Sequence, residues 1–532
     1  MNNLTLKRIS TMFLAFVVAA TMGFTSISFA ANPDSTDVMA VHDVESGATV
    51  TAYQIIKEQS GKWVTVGGAE ITFVDADGNV NDDASKNIYP APTAAQIAAI
   101  AKNPPTENTF ALTPDGGVYK ASGKAAGMYL VLVSGTGATV YNPMIVSVDY
   151  DKAEDKVSAK SNFTNDAYAK SSTPTVDKKN NQQGNTAAGT TDNGTSAQVG
   201  DKVGFTITTT IPSYSDQYDT VVFNVSDKLD AGLTPPAVST TNNEDFSVTV
   251  GGAAAAEGSY TVAKDGNGFK VVFASDYIKS LKDKTEAERK VVITYKATVN
   301  GNAAFNFDPN KNEAKINFSN APTDTEGKGE HKDDSKIYTF GIDADLGGTS
   351  VEGNKKTHEV IKVDENGKAE TQSFTESTEE TEVENALAGA TFELSGNGIV
   401  PISVTTSENG YMEIKGLKEG SYVLKETAAP AGYQVDPKEH SVVISATYNE
   451  DGTLASYTIT IDGEATSTYK ATYSAAGMTL VAETQETVFI TNTRVPGLPS
   501  TGGIGTYIFI IAGALIMSVA AFAIKRRTKE DQ

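Results

Sequence analysis

The chain has 532 residues, a formal net charge of −23 and no cysteine. That charge argues against nucleic acid or an anionic membrane surface as a partner of the soluble part. Four scattered histidines (His42, His331, His358, His440) and no thiol leave little for a metal centre, a cofactor site, a disulfide or a Cys/His nucleophile.

In chain order, Lys7 and Arg8 precede the apolar stretch Met12–Phe24, and Ser28-Phe29-Ala30 supplies small residues, so a signal peptidase is expected to cut between Ala30 and Ala31. About 470 residues separate this leader from the C-terminal apolar run, room for roughly three domains. Residues 31–170 contain GATVTAYQIIK (47–57), a helical AAQIAAIAK (94–102) and the apolar run GMYLVLV (127–133). A polar stretch almost free of aromatics (170–201) then opens a second domain, 171–335. Within it VGFTITTTI (203–211), KVVITYKATV (290–299) and AKINFSN (314–320) alternate with the period-2 pattern of half-buried strands, and DYIKSLKDKTEAERK (276–290) reads as a helix. The charged stretch 323–336 marks the next boundary, and 336–495 repeats the strand pattern in EHSVVISATY (439–448), SYTITID (456–462) and ETVFITNT (486–493). The acidic run 371–385 reads as an exposed loop inside this third domain, because like charges oppose packing. An all-β architecture of tandem β-sandwich domains follows.

The C-terminal region 496–532 holds Leu498, Pro499, Ser500, Thr501 and Gly502, then an uncharged apolar run of 22 residues, Gly503–Ile524, and the basic tail begun by Lys525, Arg526 and Arg527. Twenty-two residues suffice to cross a bilayer, and the basic cluster places the tail on the cytoplasmic side. Pro499 fixes an extended, kinked segment and Gly502 leaves the following bond sterically open. In this order the elements resemble a sortase substrate. The resemblance implies attack by a sortase cysteine on the Thr501 carbonyl and loss of everything from Gly502 onward, so the span retains the chain in the membrane only transiently.

LAGATFEL (387–394), YVLKETAAPAGY (422–433) and VFITNTRVPGLPSTGG (488–503) resemble an immunoglobulin-like domain of the collagen-adhesin B type, as found in the sortase-assembled backbone pilins of Gram-positive bacteria. That resemblance implies an autocatalytic amide between Lys362 and Asn492, promoted by the acid Glu426. The chemistry is reasonable: burial disfavours the ammonium and so supplies a neutral amine, and a buried carboxyl favours its protonated form and stabilises an oxyanion. PTVDKK (174–179), FNVSDKLDAGLT (223–234) and NEAKINFSNAP (312–322) resemble the middle domain of the same pilins, implying a Lys178–Asn312 bond promoted by Asp227, with Lys179 as the rival lysine. DAYAKSSTPTV (166–176) resembles the pilin motif, with Ala169 where the family more often has Pro; this makes Lys170 the intersubunit acceptor amine, with Lys160 as competitor.

The family resemblance therefore implies a non-enzymatic structural subunit. It would be joined to identical copies by a pilin-type sortase, passed to peptidoglycan by a housekeeping sortase, and displayed on a Gram-positive cell wall as a pilus. The alternative within the same resemblance is a wall-anchored adhesin or a minor tip or base pilin.

Overall fold

A computed structural model describes residues 38–530, apart from 60–61, 76, 82, 84–87, 135–138, 149–164, 181–193, 323, 348–355, 368–382, 476 and 497–503. The described chain forms two compact units. The first holds residues 1–182, 202–298 and 311–335, and the second 183–201, 299–310 and 336–532. The expected domains 31–170 and 171–335 thus fall mostly in one unit, while 194–201 and 299–310 join the second.

In the first unit, the described residues between 38 and 170 build two main sheets. One runs Asp166–Tyr168, Val38–His42, Val118–Ser122, Thr113–Asp115; the other runs Met144–Val148, Gly127–Ser134, Thr49–Gln59, Lys62–Thr65. Their inward residues form one core around Val41, Val50, Tyr129 and Val146 and a second around Ile55, Ile56, Leu130 and Ile145. Ala94–Lys102 is the expected helix, opened by a capping box in which Thr93 and Gln96 satisfy each other's backbone N–H groups.

Residues beyond 171 build a two-layer sandwich. One sheet orders the strands Val176–Asn180, Lys202–Thr210, Lys290–Val299 and Phe246–Val250; the facing sheet orders Gly329–Tyr338, Asn310–Phe318, Phe223–Leu229, Gly268–Phe273 and Tyr260–Lys264. The alternation is strict: Val203, Phe205, Ile207 and Thr209 are buried while Gly204, Thr206 and Thr208 are not. The layers meet through aromatic contacts such as Phe246 against Phe269, edge to face at 5.1 Å. The helix expected over 276–290 is two short turns instead, Ser275–Ser280 and Glu286–Arg289. Thr285 starts the second as an N-cap whose hydroxyl accepts from the Glu288 N–H, which breaks the first.

The second unit is dominated by a seven-stranded sheet in the order Ile402–Thr405, Thr391–Gly396, Gly420–Ala428, Glu439–Tyr448, Leu454–Ile461, Ala465–Ser474, Gly477–Thr484. Beside it, Val360–Asp364 and Val488–Asn492 pair in parallel, with Lys362 opposite Ile490 and Asp364 opposite Asn492. One core, including Phe340, Ile342, Phe392, Leu424, Tyr457 and Ile490, lies beneath both sheets. The unit ends in the helix Ile504–Glu530, whose stretch Gly505–Arg527 is long and apolar enough to cross a membrane. Its apolar side chains, Phe509 and Phe522 among them, are exposed along the whole length.

Candidate functional site

Alternation on Val176–Asn180 turns Lys178 and Asn180 inward and Lys179 outward. On Asn310–Phe318 the same rule buries Asn310, Asn312, Ala314, Ile316 and Phe318, and the neighbouring strand buries Asp227 opposite Ala314. Lys178 and Asn312 therefore approach from opposite layers of the sandwich. Both are fully buried, and Asp227 is 2% exposed. Lys178 Nζ donates to Asn312 Oδ1 at 2.7 Å and pairs with Asp227 Oδ1.

A fourth member was not anticipated from the sequence. Tyr295, inward on Lys290–Val299, receives a hydrogen bond from Lys178 Nζ at 2.8 Å and one from Asn312 Nδ2 at 2.5 Å, and donates its own hydrogen to Asp227 Oδ2 at 2.5 Å. Its ring stacks on Phe205 at 5.3 Å and meets the Phe269 edge at 5.0 Å, so the hydroxyl is aimed from a fixed base. Phe205 and Tyr295 enclose the amine apolarly, with ring centroids 5.5 and 5.3 Å from Nζ.

The second unit holds a matching cluster. Lys362 is fully buried, Glu426 is 3% exposed and Asn492 is 1% exposed. Lys362 Nζ donates to Asn492 Oδ1 and lies 3.3 Å from Glu426 Oε2. Asn492 Nδ2 donates to Glu426 Oε1 at 2.8 Å, and the Asp436 N–H holds Oε2 at 2.7 Å. The carboxylate thus spans both nitrogens.

Burial sets the electrostatics. It holds the Lys178 amine below the ordinary lysine range, although Asp227 pulls the other way, and it holds Lys362 low in the same manner against Glu426. Burial also pushes the Asp227 carboxyl up against the opposing pull of Lys178, and carries the Tyr295 hydroxyl well above the usual phenol range. Each cluster therefore offers an amine biased toward its nucleophilic form within hydrogen-bond reach of a carboxamide, with an acid alongside. That is a setting for amide exchange with loss of ammonia.

Lys170 is exposed, but it does not lie on a slack junction. Asp166–Tyr168 pairs in parallel with Val38–His42, Ser171–Ser172 pairs with Val140–Tyr141, and the Lys170 carbonyl accepts from the Asn142 N–H at 3.0 Å. Ladder hydrogen bonds on both sides fix the backbone and leave the side chain outside. Ala30, Ala31, Lys160 and the pentapeptide Leu498, Pro499, Ser500, Thr501, Gly502 lie outside the described residues, as does most of the acidic run 371–385.

Residues 372–462 match the model of a prealbumin-like fold domain, and residues 490–531 match the LPXTG cell wall anchor motif. The chain is 27% identical over 585 aligned residues to the trypsin-resistant surface T6 protein of Streptococcus pyogenes serotype M6, covering 97% of this chain and 99% of that one. Among solved structures, the T6 backbone pilin of the same serotype superposes with a TM-score of 0.56 at 20% identity, covering 86% of this chain and 98% of that one, which shows a shared fold. The major pilin SpaD of Corynebacterium diphtheriae also matches, with a TM-score of 0.43 at 17% identity over 88% of this chain and 99% of that one. Anchor motif, prealbumin-like domain and likeness to the T6 protein along nearly the whole chain agree in supporting a sortase-assembled backbone pilin, a structural subunit of a surface pilus attached to a Gram-positive cell wall.

Proposed function

We propose that this chain is the repeating shaft subunit of the pilus and that it cross-links itself at two places, Lys178 to Asn312 and Lys362 to Asn492. The observation that carries this reading is the pair of fully buried lysines, each against the carboxamide of an asparagine and an acidic side chain. A lysine is almost never fully buried without a strong reason, because an isolated ammonium in an apolar interior is costly. In each reaction Nζ bonds to the asparagine Cγ, the Cγ–Nδ2 bond breaks, and the nitrogen leaves as ammonia. The chain thus acts once on itself at each site and is a substrate, not an enzyme with turnover.

Polymerisation would use the two ends of the soluble part. A pilin-type sortase transfers the Thr501 acyl group to the exposed Lys170 amine of the next copy, and a housekeeping sortase passes the finished polymer to peptidoglycan. One donor and one distinct acceptor per subunit make a head-to-tail contact that does not close on itself, the arrangement that yields fibres.

Intact mass tests the cross-links: the protein should be lighter than its sequence by about 17 Da per bond, the mass of the ammonia eliminated. A mass equal to the sequence value rules both bonds out. Lys170→Ala tests the polymer. It should abolish the SDS-resistant ladder of cell-wall extracts and leave a wall-anchored monomer, whereas a surviving ladder removes Lys170 as the acceptor.

A further inference from the structure

The two clusters solve the same problem with different parts. Amide exchange requires Nζ to lose a proton as it bonds to Cγ and Nδ2 to gain one before it leaves as ammonia. In the second unit Glu426 does both jobs by reach, with Oε2 3.3 Å from Lys362 Nζ and Oε1 2.8 Å from Asn492 Nδ2. Asp227 is one methylene shorter. Its described hydrogen bonds go to Lys178 Nζ and the Tyr295 hydroxyl, and none goes to Asn312. The Asn312 nitrogen is instead 2.5 Å from Tyr295 Oη, which also lies 2.8 Å from Lys178 Nζ. Because a phenol has one hydrogen and Tyr295 gives it to Asp227, the hydroxyl must accept from Asn312, which places the amide nitrogen, not the oxygen, on that side.

We propose that Tyr295 is a catalytic residue of the Lys178–Asn312 reaction, relaying the proton from the attacking to the departing nitrogen, so that Asp227 and Tyr295 together do what Glu426 does alone. This rests on the cross-linking reading above. Nζ attacks Cγ, and the carbonyl π pair moves to Oδ1. The proton that Nζ sheds passes to Oη while the Tyr295 hydrogen turns away from Asp227 Oδ2 and passes to Nδ2. The C–O⁻ pair then re-forms the carbonyl, the Cγ–Nδ2 bond breaks and ammonia departs. Tyr295 and Asp227 end as they began, and no oxidant or co-reactant is needed.

The test uses the full-length chain, made by cell-free translation in detergent, with both cross-linked peptide pairs quantified by mass spectrometry over time. Tyr295→Phe keeps the ring and its stacking and removes only the hydroxyl, with its bonds to Lys178, Asp227 and Asn312. The Lys178–Asn312 bond should form at least tenfold more slowly, the scale of a lost proton-transfer catalyst. Formation of Lys362–Asn492 should keep its rate, which shows that the variant chain still folds. Adding Asp227→Glu to Tyr295→Phe should recover part of the lost rate, because the longer acid regains the reach of Glu426; a merely structural tyrosine gives no such rescue. Wild-type speed in Tyr295→Phe overturns the relay and leaves the cross-linking reading intact. No Lys178–Asn312 bond in the wild-type chain overturns that reading instead.

Discussion

At the scale of single residues, the decisive quantity is where one proton sits in each lysine–acid pair. The reactive form of the Lys178–Asp227 pair holds one proton: two leave the amine blocked as ammonium, and none leaves Asp227 ionised, so that it holds the Tyr295 hydrogen away from the departing nitrogen. Burial lowers the lysine and raises the aspartic acid, so both edges of the active window move toward neutrality. The rate of ammonia loss from freshly made chain should therefore rise with pH at the acid edge and fall at the alkaline edge. That fall should begin below the ordinary lysine range near 10.5; a profile that climbs monotonically to that pH contradicts it. The family resemblance carried by LKET, FITNT and NEAKINFSNAP named Glu426, Asn492 and Asn312, and the structure buries all three beside Lys362 or Lys178. Alternation also marks Tyr295 as inward, yet it gives no sign of what an inward hydroxyl touches, because its partners come from strands far apart in sequence.

Secondary-structure elements carry these residues by close backbone contact, and glycine makes the contact possible at Gly410. Its φ of +79° is left-handed, its carbonyl accepts the Lys362 N–H at 2.9 Å, and a Cβ there would run into the Lys362 carbonyl. Gly410→Ala should cost about 1–3 kcal/mol in denaturant titration, the scale of backbone strain at such a position. Because the strand carrying Lys362 has to shift, cross-linking there should slow while the Lys178 site keeps its rate. Peptide mapping over time separates the two. Strand positions were readable because period-2 burial leaves a period-2 sequence, as in Lys290–Val299. Pairing was not: nothing in Val360–Asp364 or Val488–Asn492 announces that they lie side by side in parallel. The long helix expected over 276–290 failed for a local reason, the Thr285 cap, which the TEAE sequence already carried.

For the whole molecule, stability without disulfides is the issue, since the chain has no cysteine. Closing a loop of 134 or 130 residues removes denatured-state entropy worth about 4–5 kcal/mol per bond on the model used for disulfides. Each proposed bond would also convert a buried lysine amine to a neutral amide and so remove a desolvation penalty. The double variant Lys178→Ala, Lys362→Ala should therefore unfold at markedly lower denaturant than the wild-type chain and be cut faster by trypsin. Equal midpoints would show that the bonds add nothing measurable. Composition and linker-like stretches suggested three domains, but 194–201 and 299–310 fold with the second unit. Linker composition does not reveal this: Gly194–Ser196 pairs with Lys336–Tyr338, far along the chain.

The parallel pair Val360–Asp364 and Val488–Asn492 has a further result once Lys362 and Asn492 are joined. A pull along the filament enters this region at Lys362 and leaves at Asn492 through a single side-chain amide, bypassing the residues between them. With that proposed bond in place the chain between Lys362 and Asn492 carries no tension, and substitutions on its surface leave the path of the force unchanged.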